Sequence, residues 1–598
     1  MDCHNLQDER AGILMICMIA GAVLFAAHPG IVQAQQEAGE VTVWAAPAEQ
    51  KVRPEDPVED NNLVWSDQES TVSVAGAANE HVPFQVVITT PVPEEGPGGA
   101  DPEVPGGFYI ESTDLTSDQG ASIGQEHIEF FLEHYIHLYA KSSPIGATGY
   151  WPDALAPIKE PFSMQAEHSI VRNRPLWVDV AVPSGTPAGT YTGTVTVTQD
   201  GDPVRTLDVA LEVYDFTLPE KTSLFSYIDI DASELADLYN KPVSSEEIQQ
   251  LTRTYYKFLY SNRMERWYNQ ALEPEIELRD GEIELTFNED EYQFYLHELN
   301  TKRVVLESVP SDLENQIEAE PFTESFNTIM KNYFSKVESY FEENGWENKL
   351  VFNSPIDEPN SKQEYEETRR WAELVDEATT DVPFMSTESP VTQNPDWGTF
   401  RGYVDNFAIH GNALNDPEVK QAILEEQAKG GEMTWYISCD QGYPQPNYFI
   451  DAPAMDPVMV PWITARYKMD GILYWEINHW GDTPNPWRDA VTFNSGPFCS
   501  GGYVLNGEGS LIYPGDYTEE YTGQPDVKGP VSSIRFELLR EGIEDYVYLS
   551  MLKNHGAKEY AEKVVRSMAV DVSAFSRNAE ELYRTRRAMA ERIEELTD

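Results

Sequence analysis

Two adjacent carboxylates, Asp357 and Glu358, are the residues in this sequence best suited to acid/base chemistry. They end a predicted apolar strand at residues 350–357, and Pro359 stops that strand because proline has no backbone N–H to donate. Side chains alternate along a strand, so the two carboxylates should point in different directions. We therefore expect them to serve different atoms of a substrate.

This pattern suits the hydrolysis of a glycosidic bond. That reaction needs a protonated acid at the leaving oxygen and a second group that stabilises the oxocarbenium-like centre. The competing interpretation is a charged surface turn, since Asp-Glu-Pro is a common turn onset and the chain holds 102 acidic residues. The position at the end of a predicted strand favours a catalytic role for Asp357 and Glu358.

Eight predicted strands alternate with helices through the middle of the chain, which is the pattern of a (β/α)8 TIM-like barrel over residues 220–500. The strands are expected at residues 223–231, 263–269, 303–309, 350–357, 383–388, 405–410, 433–440 and 471–479. The second and third strands are the least well defined, because residues 275–287 could form an inserted hairpin. Ser361 and Glu364 form a capping box that predicts a helix over residues 361–378.

In such a barrel the reacting groups lie at the C-terminal ends of the strands. Polar and aromatic residues near these ends are predicted to bind the substrate: His410, Trp435, Tyr436, Asp440, Trp475, Glu476, Asn478 and Trp480. The aromatic rings could stack on the apolar face of a sugar, although packing in the core is an equal alternative for each ring. A lone histidine is also more often structural than functional.

We expect no metal ion and no cofactor. The sequence has no zinc motif, no phosphate-binding glycine loop and no Ser-His-Asp signature. Residues 229–233 begin like a calcium loop, but the glycine and the final glutamate of such a loop are missing.

The parts on either side of the predicted barrel have different patterns. Residues 40–219 alternate apolar and polar side chains between turn residues, which predicts an antiparallel β-sandwich. Residues 501–598 predict a C-terminal extension, with a glycine-rich segment and helices at 532–553 and 572–596 that pack on the barrel. Five charged residues at i,i+4 and i,i+5 spacings are expected to form a salt-bridge network that fastens the terminal helix: Arg535, Glu537, Arg540, Glu544 and Asp545.

Residues 1–34 predict an export signal. Arg10 precedes an apolar run at residues 13–27, and residues 32–34 (VQA) offer a small-residue cleavage site. An uncleaved N-terminal anchor is the alternative. Cleavage would leave only Cys439 and Cys499, either as one disulfide or as two buried thiols. The signal predicts a secreted or periplasmic protein of bacterial origin.

The formal net charge of −61 restricts the partners of this chain. Nucleic acid and anionic membrane surfaces are excluded as expected partners, because both need a basic surface on the protein. The acidic residues are spread along the chain, which indicates a solvated surface suited to a saline medium. A glycan is the expected partner, no stable membrane insertion is expected after cleavage, and the oligomeric state stays open.

The chain resembles glycoside hydrolase family 123 around the Asp357-Glu358 pair. The resemblance extends to residues 149–155 (GYWPDAL) and 187–193 (PAGTYTG) in the N-terminal part. It also covers residues 507–515 (GEGSLIYPG) and 533–546 (SIRFELLREGIEDY) near the C-terminus. These segments together span most of the predicted mature chain.

The resemblance implies a retaining exo-β-N-acetylgalactosaminidase with a β-sandwich followed by a (β/α)8 barrel. In this family the 2-acetamido oxygen of the substrate attacks the anomeric carbon, so no nucleophile from the enzyme is needed. By the same pattern Asp357 would orient the acetamido group, and Glu358 would act first as general acid and then as general base.

Two alternatives remain at this stage. A conventional retaining hydrolase of different sugar specificity would use Glu358 as acid and Asp440, at the end of the predicted seventh strand, as nucleophile. A non-catalytic glycan-binding protein would keep the same fold without hydrolysis.

Overall fold

The N-terminal part of the chain is rich in β-strands, as its alternating sequence predicts. The computed structural model describes residues 41–91, 103–166, 169–266, 268, 270–483, 485–494, 499 and 501–597. The predicted export signal therefore lies outside the described residues. One sheet contains five strands, in the order Thr42–Pro47, His81–Thr89, Asn173–Ala181, Ile128–Leu138 and Gly149–Pro157.

A second, seven-stranded sheet accompanies the first. Its strands are Trp65–Ser66, Thr71–Ala78, Asp202–Thr217, Gly189–Gln199, Leu115–Ser117, Ser122–Ile123 and Phe108–Ser112. The pairing of Thr71–Ala78 with Asp202–Thr217 is parallel, whereas the predicted arrangement was antiparallel throughout. Side chains from both sheets, such as Val86 and Leu211, belong to one buried apolar cluster.

The second domain contains an eight-stranded parallel sheet. In chain order its strands are Phe225–Ile228, Glu265–Arg266, Val304–Glu307, Leu350–Asn353, Phe384–Ser386, Asn406–His410, Met433–Tyr436 and Gly471–Tyr474. Each described pairing is parallel, and the first strand also pairs with the eighth. A single parallel bridge between Tyr268 and Val305 links the segment after the second strand to the third. All eight strands lie within the predicted segments.

Helices connect most of these strands, as the alternating pattern predicts; the fifth and sixth strands are joined with only the 3-10 turn Pro395–Trp397 between them. The helices are Ala232–Leu238, Glu246–Ser261, Glu289–Gln293, Ser311–Glu314, Glu324–Glu343, Lys362–Ala378, Pro417–Gln427 and Met455–Tyr467. Ser361 caps Lys362–Ala378 by accepting the backbone N–H of Glu364 at 3.2 Å, so this predicted helix is confirmed. The predicted hairpin is also present, as Glu275–Arg279 paired with Glu282–Thr286.

The C-terminal part adds four helices to the described fold: Thr518–Thr522, Ile534–Asn554, Lys558–Met568 and Ala579–Thr597. The predicted last helix, at 572–596, is wrong at its start, because a short hairpin occupies Ala569–Asp571 and Ala574–Phe575. Helix Lys558–Met568 was not predicted. Gly542 allows helix Ile534–Asn554 to approach Met455–Tyr467, since a Cβ there would lie 2.3 Å from the carbonyl oxygen of Val458.

Helix Ile534–Asn554 is buried from Ile534 to Leu549, because both domains and the C-terminal helices pack around it. Its ion pairs reach beyond its own surface. Arg535 pairs with Asp153 at 2.7 Å and Arg540 pairs with Asp179 at 3.1 Å, so both bonds join the helix to the β-rich domain. Asp545 pairs with Arg586 of the last helix at 2.6 Å. The predicted network thus fastens the last helix and also links the two domains.

The Cys439–Cys499 pair forms a disulfide, with Cα atoms 5.4 Å apart. The bridge ties the segment after the seventh strand to the chain near residue 499. Among the described residues, no helix is both long enough and apolar enough to cross a membrane.

Candidate functional site

Asp357 and Glu358 lie in a loop that follows the fourth strand. That strand ends at Asn353, four residues earlier than predicted, so the expectation that it continues to Asp357 is wrong. Alternation along a strand therefore cannot set the directions of the two side chains. Both residues are exposed, and Glu358 adopts a left-handed backbone with φ of +43°. This conformation costs a non-glycine residue roughly 1–2 kcal/mol, so surrounding contacts must hold it.

Asp357 takes its orientation from Thr387, just beyond the fifth strand. The Thr387 hydroxyl donates to Asp357 Oδ1 at 2.6 Å, and the backbone N–H of Glu358 donates to Thr387 Oγ1 at 2.9 Å. In the described part of the chain, hydrogen bonds to the Asp357 carboxylate involve Oδ1 alone. Its Oδ2 can therefore accept a hydrogen from a bound molecule.

Glu358 takes its orientation from Tyr436, the last residue of the seventh strand. The Tyr436 hydroxyl donates a short hydrogen bond to Glu358 Oε1. Burial, reinforced by the negative charge of Glu358, raises the pKa of Tyr436 far above its ordinary value. Tyr436 therefore stays protonated and donates to Oε1, which leaves Oε2 as the oxygen of Glu358 that can hold a proton.

Two further carboxyl groups flank the pair, Glu307 beside Asp357 and Glu388 beside Glu358. Burial raises the pKa of Glu307 to about 7; a hydrogen bond from Asn353 opposes this shift and the charge of Asp357 adds to it. Burial also raises the pKa of Glu388, and the charge of Glu358 contributes. The Glu388 carboxylate accepts the Ser389 backbone N–H at 2.6 Å and the Gln393 amide at 2.6 Å.

A second cluster forms where the sixth and seventh strands end. His410 Nε2 lies 2.9 Å from Asp440 Oδ1, and the Asn412 amide donates to Asp440 Oδ2 at 3.0 Å. The hydrogen bond with His410 is the main reason why the pKa of Asp440 is lowered. The His410 ring meets the Tyr436 ring edge to face, with 5.0 Å between centroids. His410 thus connects Asp440 to the residue that orients Glu358.

Trp475 begins the segment after the eighth strand and is only half-buried. Its indole N–H donates to Glu508 Oε1 at 2.8 Å. Trp475 lies directly against Gly509, where an added Cβ would be 2.4 Å from the ring. Burial raises the pKa of Glu508 to about 7, and the hydrogen bond from Trp475 opposes that shift. This arrangement fixes the plane of the Trp475 ring.

Other predicted substrate-binding residues have structural surroundings. Trp435 and Trp480 are buried, with indole N–H groups that donate to Thr464 Oγ1 at 2.7 Å and to the Ile512 carbonyl at 3.1 Å. Both rings therefore pack in the core, which was the alternative interpretation. Asn478 is also buried and exchanges two hydrogen bonds of 2.9 Å with the backbone of Asp231.

Glu476 belongs to a small cluster with Glu234 and His479. His479 Nδ1 lies 3.2 Å from Glu234 Oε1 and 3.3 Å from Glu476 Oε2. These three side chains form the one group among the described residues with ligand atoms close enough for a metal ion. Burial lowers the pKa of His479, but hydrogen bonds to Glu234 and Glu476 outweigh burial and raise it to about 10. A protonated His479 can thus balance part of the carboxylate charge.

Sequence reasoning missed Thr387 and Glu307 as members of the site. Glu307 ends the third strand, which was predicted to continue to residue 309. A shorter strand would have placed Glu307 among the strand-end candidates. Thr387 offered no local signal, because its importance comes from contacts with residues about 30 positions away.

Models of two protein-family domains match this chain, in the same order as its β-rich domain and its parallel-sheet domain. The model of the glycoside hydrolase 123 N-terminal domain matches residues 105–199, and that of the glycoside hydrolase 123 catalytic domain matches residues 252–552. No curated protein sequence matches the chain.

One solved structure shows a clear likeness in fold, and a second gives a weaker match. A family 123 glycoside hydrolase from Clostridium perfringens, studied for glycolipid glycan hydrolysis, is 16% identical at a TM-score of 0.66, over 93% of this chain and 97% of that chain. A family 39 glycoside hydrolase from Bacteroides cellulosilyticus WH2 is 12% identical at a TM-score of 0.32, over 73% of this chain and 80% of that chain. The catalytic-domain match, which covers half of the sequence and contains Asp357 and Glu358, shows that this chain belongs to glycoside hydrolase family 123.

Proposed function

We propose that this protein is a retaining exo-β-N-acetylgalactosaminidase that works by substrate-assisted catalysis. One observation carries the proposal: each carboxylate of the adjacent pair is held through one oxygen by a different neighbour. Thr387 holds Asp357 Oδ1, and Tyr436 holds Glu358 Oε1. The second oxygen of each group can then act on a different substituent of one sugar.

In the first step Glu358 is the general acid. Its Oε2 proton passes to the glycosidic oxygen as the bond from that oxygen to the anomeric carbon breaks. At the same time the carbonyl oxygen of the 2-acetamido group bonds to the anomeric carbon, which produces an oxazoline-type intermediate. Asp357 Oδ2 accepts the acetamido N–H and makes the acetamido oxygen a better nucleophile.

In the second step Glu358 is the general base. Its carboxylate takes a proton from water while the water oxygen attacks the anomeric carbon and the bond to the acetamido oxygen breaks. Two displacements at one carbon leave its configuration unchanged. The half-buried Trp475, with its ring plane fixed by Glu508, is proposed to stack on the apolar face of the sugar.

The proposal includes a closed (β/α)8 barrel that carries these groups at one end. Pairing of the first and eighth strands and the Tyr268–Val305 bridge support closure. Seven of the eight strands each supply one side chain to a small apolar cluster, as expected for the inside of a barrel. Its buried members are Tyr227, Val305, Val351, Met385, Ala408, Tyr436 and Leu473.

We further propose that the protein is secreted or periplasmic. The predicted export signal is the main support, and the disulfide agrees with an oxidising compartment. The domain limits at 40–219, 220–500 and 501–598 stay predictions.

A substrate panel tests the proposed function. Aryl β-N-acetylgalactosaminide and β-N-acetylglucosaminide are compared with aryl β-galactoside, and a thiazoline that mimics the oxazoline is tested as an inhibitor. We expect cleavage of the galactosaminide in preference to the glucosaminide, no cleavage of the galactoside, and inhibition by the thiazoline. Cleavage of the galactoside alone would refute the acetamido mechanism, and binding without hydrolysis would favour a non-catalytic glycan-binding protein.

A second candidate mechanism makes Asp440 the nucleophile of a conventional retaining hydrolase. The lowered pKa of Asp440 favours it, since a nucleophilic carboxylate must be ionised. Against it, both oxygens of Asp440 already accept hydrogen bonds, from His410 and Asn412. Mass spectrometry after treatment with a 2-fluoro glycoside separates the mechanisms, because only a nucleophilic Asp440 would carry a covalent glycosyl adduct.

A further inference from the structure

A single hydroxyl group contacts both members of the carboxylate pair. Thr387 Oγ1 lies 2.6 Å from Asp357 Oδ1 and 2.9 Å from the backbone nitrogen of Glu358. An amide N–H can only donate, so Thr387 accepts from Glu358 and uses its one hydroxyl hydrogen for Asp357. Both hydrogen bonds of the Thr387 hydroxyl therefore have a defined donor and a defined acceptor.

The bond to Glu358 falls at the one residue of the pair with an unusual backbone. A φ of +43° is uncommon for glutamate and persists only where neighbouring groups enforce it. Thr387 accepts the N–H of that same residue. Loss of this acceptor would let the Glu358 backbone return to a more common conformation and would turn the side chain away from Tyr436.

Thr387 is itself held by the parallel sheet. It directly follows strand Phe384–Ser386, and the backbone N–H of Ser354 donates to the carbonyl of Met385 at 2.8 Å. This bond joins the end of the fourth strand to the fifth strand. Ser354 lies three residues before Asp357, and Met385 lies two residues before Thr387. Threonine is also branched at Cβ, so few rotamers are open to its hydroxyl.

We propose that Thr387 is the positioning residue of the acid/base pair, setting the Asp357 carboxylate and the Glu358 backbone through one oxygen atom. This inference rests on the proposed function, in which Asp357 and Glu358 act on different substituents. In this role Thr387 acts through Asp357 and Glu358 rather than on the substrate itself. Its removal should slow the chemical steps and leave sugar binding nearly unchanged.

Kinetics of three variants test the inference. Thr387→Val keeps the shape and removes the hydroxyl, Thr387→Ser keeps the hydroxyl, and Thr379→Val is the matched control. Thr379 is a half-buried threonine outside the site that donates to the Val375 carbonyl at 2.9 Å. On aryl β-N-acetylgalactosaminide we expect kcat of Thr387→Val to fall roughly 10- to 100-fold, with KM changed less than about 3-fold. Thr387→Ser should stay within about 3-fold of the parent and Thr379→Val should match it.

The outcomes separate a positioning role from a structural one. Equal losses in Thr387→Val and Thr387→Ser, or a loss confined to KM, would overturn the inference, as would an unchanged kcat in Thr387→Val. Melting temperatures of all three variants should stay close to that of the parent protein.

The crystal structure of Thr387→Val tests the same inference whatever sugar the enzyme cleaves. We expect Glu358 to leave the left-handed region and the Asp357 carboxylate to rotate. An unmoved pair would refute the role of Thr387 even if the parent enzyme is active. A parent enzyme inactive on every acetamido sugar would instead refute the proposed function, and this structure would still decide the role of Thr387.

Discussion

Tyr436 donates its hydroxyl hydrogen to Glu358, whereas the adjacent Trp435 faces the opposite side of the same strand and donates to Thr464. Alternation along the strand explains why neighbours have such different surroundings. Tyr436 belongs to the small apolar cluster on one face of the parallel sheet. Trp435 belongs to the larger core that the sheet forms with the helices. One strand thus contributes to both the candidate site and the core.

Replacement of Glu358 tests its role as the general acid. We expect Glu358→Gln to lower kcat about 10²- to 10⁴-fold for aryl glycosides with poor leaving groups, since glutamine cannot transfer a proton. For dinitrophenyl glycosides, which need little protonation, kcat/KM should be affected much less, because it reports the first step, whereas kcat should still fall because glutamine cannot act as the base of the second step. Rates across a leaving-group series measure this, with Glu366→Gln on the exposed face of helix Lys362–Ala378 as control. Equal losses of kcat/KM for good and poor leaving groups would contradict the acid role.

Replacement of Tyr436 tests whether the orientation of Glu358 matters. Tyr436→Phe removes a hydrogen bond to a carboxylate, a type of bond worth about 1.5–3 kcal/mol. We expect kcat on the acetamido sugar to fall about 10-fold with little change in melting temperature. Tyr403→Phe, at an exposed tyrosine, should have parental kinetics. A Tyr436→Phe enzyme as fast as the parent would show that Glu358 needs no such partner.

The contribution of Glu273 to the free energy of unfolding should fall as pH rises. Burial raises the pKa of Glu273 to about 8, and the charge of Glu307 adds to the shift. Between pH 4.5 and about pH 8, Glu273 ionises in the unfolded chain but keeps its proton in the folded chain. Stability is therefore lost as the pH rises through this range.

Glu273→Gln, which is neutral at every pH, should remove this loss. We expect near-parental stability at pH 5 and a gain of several kcal/mol at pH 8.5, at most about 5 kcal/mol, since the pKa shift from 4.5 to about 8 is worth about 1.4 kcal/mol per pKa unit. Urea unfolding at pH 5 and at pH 8.5 measures this gain in stability. Glu277→Gln in the exposed hairpin serves as control, and a gain of the same size at pH 5 would argue against titration as the cause.

The buried Asp153–Arg535 pair should be essential for the joint between the domains. Both side chains have 0% exposure, and Arg535 also donates to the carbonyls of Tyr448, Gly507 and Ser510. Asp153→Asn leaves the arginine charge buried without its counter-ion, which should cost about 3–5 kcal/mol of unfolding free energy. In urea titrations the exposed pair Arg592–Glu595 provides the control, since Glu595→Gln should change stability by less than about 1 kcal/mol. A similarly small effect of Asp153→Asn would contradict this role.

Much of the order of elements could be predicted, but the ends of elements could not. All eight parallel strands lie within their predicted segments, yet the fourth ends at Asn353 and leaves Asp357 and Glu358 in a loop. Apolar patterning shows where a strand exists, whereas its end depends on where the neighbouring strand stops offering hydrogen bonds. The amphipathic helix Lys558–Met568 was missed for a simpler reason, because it lies in a segment whose pattern was not assigned.

The sequence by itself determined the candidate carboxylate pair, the succession of a β-rich and an α/β domain, and the family. These features depend on residue type and short-range spacing, which can be read along the chain. Only the tertiary structure decided that Thr387 and Tyr436 hold the pair, that Trp435 and Trp480 pack in the core, and that Cys439 joins Cys499. Those contacts link residues about 30 to 80 positions apart. They are set by how neighbouring strands and loops align in space, which no local pattern encodes.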